Sequence, residues 1–181
     1  MKRAGKIPLV LMVLGALATV LASHAAARTA SHVGLATKGA AADMLPFKGT
    51  LEGRHVSRTP LDPPFVFDRF ETEGQATQLG QFTLVVESTV NFGSRPVTGA
   101  GTYTFTAANG DSLVADQTGF SALVRPGTVL ITEHAVIDPN RSTGRFAGAE
   151  GAFTAERLAD AATGVGGLTV GTFEGTISLN R

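Results

Sequence analysis

The feature of this sequence that most constrains its fold is a regular alternation of apolar and polar side chains. Runs with this alternation cover residues 47–52, 82–91, 102–106, 129–137 and 173–180. Successive side chains of a β-strand point to opposite faces, so each run can cover an apolar core with one face and meet water with the other. The alternation therefore predicts an all-β domain.

The breaks between these runs carry residues that favour tight turns. Asn109-Gly110 is the strongest signal, because this dipeptide readily adopts the positive φ angles of a tight hairpin. Prolines in the segments 125–127 and 138–140 predict further turns, and residues 59–64 are predicted to be a loop or an irregular sheet edge. The pattern gives about eight strands. A short helix is predicted over residues 156–162.

The first and last runs share a sequence pattern that predicts closure of the sheet. Residues 47–51, Phe-Lys-Gly-Thr-Leu, and residues 173–177, Phe-Glu-Gly-Thr-Ile, have the same form, which places Lys48 and Glu174 at the same register. Pairing of these strands would remove both free edges of the sheet, which otherwise invite aggregation. We therefore expect a single closed antiparallel β-barrel, although glycine and threonine are common enough here for the pattern to arise by chance.

The first 27 residues have the form of a secretory signal peptide. Three basic residues precede an apolar stretch at 9–21, which is shorter than the roughly 20 residues that span a bilayer. Ala25 and Ala27 supply the small residues that signal peptidase requires. We expect cleavage after Ala27 and export to the periplasm or the extracellular space. A flexible leader is then expected over residues 28–44, and the barrel domain over residues 45–181.

Charge and cysteine content narrow the class of protein further. The chain has no Cys, so disulfides and thiol chemistry are excluded. Removal of the predicted signal peptide leaves 12 bases against 15 acids. This mildly acidic domain has no basic surface for nucleic acid and no polybasic membrane anchor. No later segment of the sequence is long and apolar enough to cross a membrane.

Three stretches of the sequence together resemble a known family. Residues 76–83 read ATQLGQFT, residues 104–113 read TFTAANGDSL, and residues 144–154 read GRFAGAEGAFT. With GTIS at residues 175–178, they are similar to a group of exported bacterial proteins related to the allene oxide cyclase barrel. The resemblance extends over residues 45–181. It implies an eight-stranded antiparallel barrel akin to the allene oxide cyclase, dirigent and lipocalin-like folds.

The resemblance concerns the fold and carries no catalytic residue. Gln78 and Gln81 stand where the group usually has His and Arg, and none of the plant enzyme's catalytic residues can be placed on this sequence. Fold and function separate easily in small barrels. The motifs therefore do not imply the cyclase reaction.

Motifs for cofactors and metals do not occur in the sequence. It has no nucleophile elbow, no P-loop and no EF-hand loop. Its histidines do not lie at zinc-ligand spacing from one another. We expect neither a cofactor nor a metal.

Glu133 is the leading candidate for a chemical role. It shares a predicted strand face with Val129, Ile131, Ala135 and Ile137. A carboxylate buried among aliphatic side chains has a raised pKa and can act as an acid or a base. The alternatives are a glutamate at the barrel mouth and a glutamate satisfied by a neighbouring arginine.

Aromatic residues on the alternating strands are candidates for lining a ligand pocket. Phe82, Tyr103 and Phe105, together with Glu133, are the predicted ligand-binding residues. Packing in the core is the alternative for the three aromatic side chains.

Other charged residues are expected to serve structure. Glu87 shares a strand face with threonines and is predicted to be solvated. His134 must point to the face opposite that of Glu133, because the two residues are adjacent on a strand. Arg145 follows a turn, and we expect it to hold that loop through Asp138 or Glu150.

Three functions fit these observations. The first is a binding module for a small apolar ligand held in the barrel, or for an envelope partner. The second is a cyclase or isomerase that shapes a flexible substrate in an apolar cavity with few polar groups. The third is a structural or self-associating exported protein. A homo-oligomer is also compatible with these observations.

Overall fold

The structure is a computed structural model that describes residues 43–180, in which eight antiparallel strands close into one barrel. Each strand pairs with its neighbours in the chain, and the last pairs with the first. The strands are β1 Leu45–Pro60, β2 Phe65–Ala76, β3 Gly80–Asn91, β4 Val97–Ala107, β5 Ser112–Arg125, β6 Thr128–Ile137, β7 Glu150–Asp160 and β8 Leu168–Ser178. The predicted all-β barrel is confirmed. The predicted signal peptide lies outside the described residues.

Closure of the barrel depends on the pairing of β1 with β8. Lys48 lies opposite Glu174 on the outer face, and Phe47 lies opposite Gly175 on the inner face. The ring of Phe47 lies with its centroid 5.0 Å from that of Phe173. Gly49 lies opposite Phe173, and a Cβ at Gly49 would lie 2.8 Å from that ring, so the absence of a side chain there makes room for it. The repeated pattern in the first and last strands therefore predicted both the partner and the register.

A cluster of aromatic rings fills much of the interior. The rings come from β1, β3, β4, β7 and β8, and the centroids of neighbouring rings lie 5.0 to 6.0 Å apart, mostly in edge or tilted arrangements. Its members are Phe47, Phe82, Tyr103, Phe105, Phe153 and Phe173. We call this group the aromatic cluster.

The two ends of the barrel differ in how they are filled. At the end that carries the connections 77–79, 108–111 and 138–149, Phe146 is fully buried and belongs to the same core cluster as Leu79. We call this the closed end, because side chains seal it. The opposite end carries the connections β1–β2, β3–β4, β5–β6 and β7–β8, and we call it the mouth end.

Arg145 holds the closed end together through contacts that differ from those expected. Its backbone N–H donates to the carboxylate of Asp111, and its guanidinium donates to the carbonyl oxygen of Leu79 at 3.0 Å. The two predicted acidic partners are therefore wrong. Asp138 instead accepts a hydrogen bond from Arg141.

Residues 156–162 do not form the predicted helix. Most of them belong to β7, in which Arg157 and Ala159 face the interior. The segment is rich in residues that favour helices, but pairing with β6 on one side and β8 on the other overrides this local preference. In the same way, β1 continues through Pro60, so the predicted loop is confined to residues 61–64.

We predict that Phe105→Ala lowers the free energy of unfolding by about 3–5 kcal/mol, because a large buried ring is replaced by a cavity. Phe105 is fully buried and contacts five other rings. Urea denaturation followed by circular dichroism measures the loss. Phe120→Ala is the control, because Phe120 is 45% exposed and its loss should cost about 1 kcal/mol or less. Equal losses would contradict a stabilising role of the aromatic cluster.

Candidate functional site

The barrel interior opens at the mouth end into a cavity of about 220 Å³. Its wall is mainly apolar and is formed by Val90, Phe92, Val97, Phe120, Val129, Ile131, Ala159 and Ala161. At its base lie buried polar side chains, which we call the polar floor: His55, Asp68, Ser88, Gln117, Glu133 and Arg157. The cavity therefore combines an apolar entrance with a polar base.

Glycines on the inner face make room for the long side chains of the polar floor. A Cβ at Gly119 would lie 2.7 Å from Cγ of Glu133, and a Cβ at Gly171 would lie 2.6 Å from Cβ of Arg157. Each glycine is the direct cross-strand neighbour of the side chain it admits. Any larger residue at these two positions would compete with the polar floor for space.

Glu133 on β6 and Arg157 on β7 form a buried ion pair with two hydrogen bonds. Nε of Arg157 donates to Oε2 of Glu133 at 2.9 Å, and Nη2 donates to Oε1 at 3.0 Å. The hydroxyl of Tyr103, on β4, donates to the same Oε2 at 2.5 Å. All three side chains are buried, so bulk water contributes little to their solvation.

Burial and pairing act in opposite directions on Glu133. Burial opposes its ionisation, but the charge of Arg157 and the hydrogen bonds from Arg157 and Tyr103 outweigh burial and hold the pKa of Glu133 below its ordinary value. Burial also opposes the positive charge of Arg157, but the negative charge of Glu133 and its hydrogen bonds to the guanidinium outweigh burial, so the pKa of Arg157 is raised. Burial, with the charge of Glu133, raises the pKa of Tyr103 well above its ordinary value. The cluster is fixed as a carboxylate, a guanidinium and a neutral phenol.

A second group of contacts in the polar floor joins β1 to β2. Nε2 of His55 lies 3.2 Å from Oδ1 of Asp68, and Arg58 donates to both carboxylate oxygens of Asp68 at 2.7 Å. The ring of His55 stacks on Phe70 with centroids 4.6 Å apart. The guanidinium of Arg157 lies 4.4 Å from the centroid of the same Phe70 ring. Phe70 thus contacts both groups of charged side chains.

A β-bulge follows His55 in β1. His55 lies opposite Phe70 of β2, and the register of β1 against β2 shifts between His55 and Ser57. On its other side, the backbone of His55 bonds to Gly166 and Gly167 in the β7–β8 connection. Bulges bend a strand and re-aim its side chains. After the shift, Arg58 lies directly opposite Asp68, which it binds.

Two polar atoms of the polar floor have no hydrogen-bond partner among residues 43–180. Gln117 donates through Nε2 to the hydroxyl of Ser88 at 2.7 Å, and its Oε1 is buried without a partner. Nη1 of Arg157 is in the same condition. The hydroxyl of Thr72 is the third such atom in the described part of the chain, but Thr72 does not line the cavity.

The structure divides the predicted site residues between the cavity and the core. Glu133 lines the cavity. Tyr103, a member of the aromatic cluster, donates a hydrogen bond to Glu133. The arginine-satisfied glutamate, one of the alternatives for Glu133, is the arrangement observed. Phe82 and Phe105 belong to the aromatic cluster and do not line this cavity.

Sequence reasoning missed most of the polar floor. His55 comes two residues after Gly53 and four after Leu51, so it takes the next inward position of β1. A polar side chain at such a position is a signal that could have identified His55 as part of the site. The prediction of a helix over residues 156–162 gave no indication that Arg157 faces the barrel interior. Asp68 lies in a segment whose alternation was not recognised.

Comparison with protein-family models, with curated proteins and with solved structures found no match. Within residues 43–180, no group of three or more His, Cys, Asp or Glu side chains is arranged to hold a metal ion. In the same part of the chain, no helix is long and apolar enough to cross a membrane. The functional argument therefore starts from the cavity and the polar floor.

We predict that Glu133→Gln lowers the free energy of unfolding at pH 7 by about 3–5 kcal/mol, because it leaves the buried guanidinium of Arg157 without a counter-charge. Urea denaturation measures the loss. The matched control is Glu87→Gln, which removes a half-exposed ion pair with Arg69 on the outer face and should cost about 1 kcal/mol or less. A loss no larger than that of the control would contradict the buried pair.

The pH dependence of the same variant checks the sign of the pKa shift. Since the pKa of Glu133 is lower in the folded than in the unfolded chain, its contribution is complete above the ordinary value of 4.5 and is lost as the pH falls through the folded-state pKa. Glu133→Gln has no such titration, so the stability difference between the two proteins should narrow in acid. A constant difference down to pH 3 would contradict the lowered pKa.

Proposed function

We propose that this protein is a binding module that holds one small, mainly apolar ligand in the cavity at the mouth end. The observation that carries the proposal is an apolar wall that leads to a polar floor with paired charges. Ligand sites usually combine a largely apolar lining with a few placed polar groups. A barrel of eight strands has an interior wide enough for side chains or for one small ligand.

The volume of the cavity limits the size of the ligand. Its 220 Å³ is below the roughly 300–1,000 Å³ of sites for drug-sized molecules. The ligand is therefore compact, with the bulk of a short aliphatic chain or one small ring system. Its apolar part packs on the wall, and its polar group faces the polar floor.

The rim of the mouth end supports access for apolar molecules. Exposed apolar side chains surround it: Leu61, Phe65, Phe92, Leu123, Val124, Val165 and Leu168. Phe92 also lines the cavity, so the apolar surface continues from the rim to the wall. In the version of this proposal that involves an envelope partner, the same rim is the contact surface.

The closed sheet weighs against association through strand edges. Each of the eight described strands pairs on both sides, so none of them offers a free edge to another chain. A structural role built on edge pairing is therefore less supported than a role that uses the interior.

We propose in addition that the chain is related to the allene oxide cyclase barrel group. The support is the three resembling stretches, residues 76–83, 104–113 and 144–154, together with the barrel fold. All three stretches include or adjoin connections of the closed end. They belong to the frame of the barrel, while the cavity lies at the opposite end, where related barrels are free to differ.

We place the action of the protein in the periplasm or outside the cell. The support is the order of basic, apolar and small residues in the first 27 positions. The mouth cavity would then meet ligands of the envelope or of the surroundings.

Filling the cavity tests the binding proposal. Gly99 lines the cavity, and the nearest neighbours of a Cβ built there lie at 3.6 and 3.8 Å, so a side chain fits without a backbone clash. We predict that Gly99→Leu weakens the binding of 2-octanone, a compact apolar probe, about tenfold or more. NMR titration of the methyl resonances of Val129 and Ile131 measures the dissociation constant.

Ala100→Leu is the matched control for this experiment. Ala100 is the next residue of β4 and is exposed, so the variant adds the same bulk to the outer face. It should leave the dissociation constant of the probe unchanged. Absence of binding by the native protein, or equal binding by Gly99→Leu, would contradict the proposal.

A second function, that of an isomerase or cyclase, is favoured by the pair of His55 and Asp68. Both residues line the cavity, and Nε2 of His55 lies 3.2 Å from the carboxylate. In the tautomer that donates from Nε2 to Asp68, the lone pair of Nδ1 is available as a general base. Arg157, which also lines the cavity, can polarise a carbonyl oxygen. Such a site can move a proton from the carbon beside a carbonyl and return it.

Proton transfer of this kind is measurable without the natural substrate. We predict that the protein in D₂O speeds exchange of the C1 and C3 protons of 2-octanone, and that His55→Gln slows this exchange about tenfold or more. Loss of proton NMR intensity measures the rate, and Gly99→Leu, which fills the cavity, is the control that should also slow it. Exchange at the buffer rate with the native protein would remove the isomerase and leave the binding proposal intact.

A further inference from the structure

The charges of the polar floor are already matched within the site. Glu133 accepts two hydrogen bonds from Arg157 at 2.9 and 3.0 Å. Asp68 accepts two from Arg58 at 2.7 Å. The two carboxylates and the two guanidinium groups of these pairs balance. Asp160, which also lines the cavity, is the last residue of β7 at the mouth end, where it accepts from the backbone of Ala162 and Thr163. A further charge buried at the polar floor would therefore find no free counter-charge there.

Two side chains that line the cavity, in contrast, have polar atoms that form no hydrogen bond within residues 43–180. Nη1 of Arg157 is a donor and Oε1 of Gln117 is an acceptor, and both atoms are buried without a partner among residues 43–180. Both residues line the cavity. A buried polar atom that is left unpaired costs about as much as a lost hydrogen bond. A ligand that bonds to these atoms removes that cost.

We propose that the cavity selects neutral molecules whose polar end is a single oxygen function, a hydroxyl or a carbonyl, and that it rejects carboxylates and ammonium ions of the same size. This inference rests on the proposed binding function and names its class of ligand. The oxygen accepts a hydrogen bond from Arg157. A hydroxyl also donates to Gln117, so alcohols bind more tightly than ketones.

Ionic head groups are disfavoured for separate reasons. A carboxylate would accept from Arg157, but it would lie near the carboxylates of Glu133 and Asp68 and would lose its hydration. An ammonium group would meet the positive charges of Arg157 and Arg58 and has no lone pair to accept with.

The preference for a hydroxyl follows from the orientation of the Gln117 amide. Its Nε2 donates to the hydroxyl of Ser88, so the atom left without a partner is the acceptor Oε1. A ligand hydroxyl can donate to this acceptor while it accepts from Arg157, whereas a ketone oxygen can only accept.

Four probes with equal chains and different head groups test the inference. The probes are 1-octanol, 2-octanone, octanoate and octylammonium, titrated at pH 8, where a carboxylic acid and an alkylamine are both ionised. We predict that the two neutral probes bind about tenfold or more tightly than the two ions. Methyl resonances of Val129 and Ile131 give the dissociation constants, and the side-chain N–H signals of Gln117 and Arg157 report contact with the head group.

Two variants separate the hydroxyl contact from general effects on the cavity. Gln117→Met keeps the length of the side chain and removes the amide, so it should weaken 1-octanol about three- to tenfold and leave 2-octanone unchanged. Thr72→Val is the matched control. It removes the unpartnered hydroxyl that lies outside the cavity lining, and it should change neither affinity.

Each outcome bears on a different claim. Binding of octanoate or octylammonium that equals or exceeds that of the neutral probes would overturn the inference and leave the binding proposal standing. Equal effects of Gln117→Met on 1-octanol and 2-octanone would overturn the contact with Gln117. Binding of none of the four probes would overturn the binding proposal itself, and the inference with it.

Discussion

The pairing of β1 with β8 is the constraint on which the rest of the structure depends. An open sheet would need a second layer to cover its apolar face, whereas the closed sheet turns all inward side chains toward one shared interior. The sizes of those side chains then decide what the interior contains. Aromatic rings fill the part that leads to the closed end, and glycines beside long polar side chains leave space toward the mouth end. The cavity is a consequence of closure combined with uneven filling.

Stability alone is a poor explanation for the polar floor. Well-packed apolar residues in place of a buried ion pair are often neutral or stabilising, and this barrel already has an extensive aromatic cluster. What the pair of Glu133 and Arg157 adds is fixed geometry: Tyr103 anchors it to the aromatic cluster, and Phe70 packs against the guanidinium. Polar groups held rigidly at the base of an apolar cavity cost little to organise when a ligand arrives. The proposed binding role makes use of this arrangement.

Much of the fold could be predicted because its determinants are local or repeated. The Asn109-Gly110 turn lies between β4 and β5, where Gly110 has a φ of 88°, and the matching patterns of the first and last strands identify each other. Residues 156–162 show where local evidence fails. Their composition favours a helix, but the two neighbouring strands were already in place to pair with them, and hydrogen bonding to both outweighs a small difference in propensity.

The polar floor was harder to predict because its contacts join distant parts of the chain. Glu133 stood out on its own strand face, but its pairing depends on Arg157, which is 24 residues away and one diagonal step across β6 and β7. Arg58 lies opposite Asp68 only because a bulge shifts the register of β1 against β2. Once closure and register are known, however, every polar side chain at an inward position must either find a partner or face a ligand. Three buried polar side-chain atoms of residues 43–180 are left unpaired, and two of them, on Gln117 and Arg157, belong to residues that line the cavity.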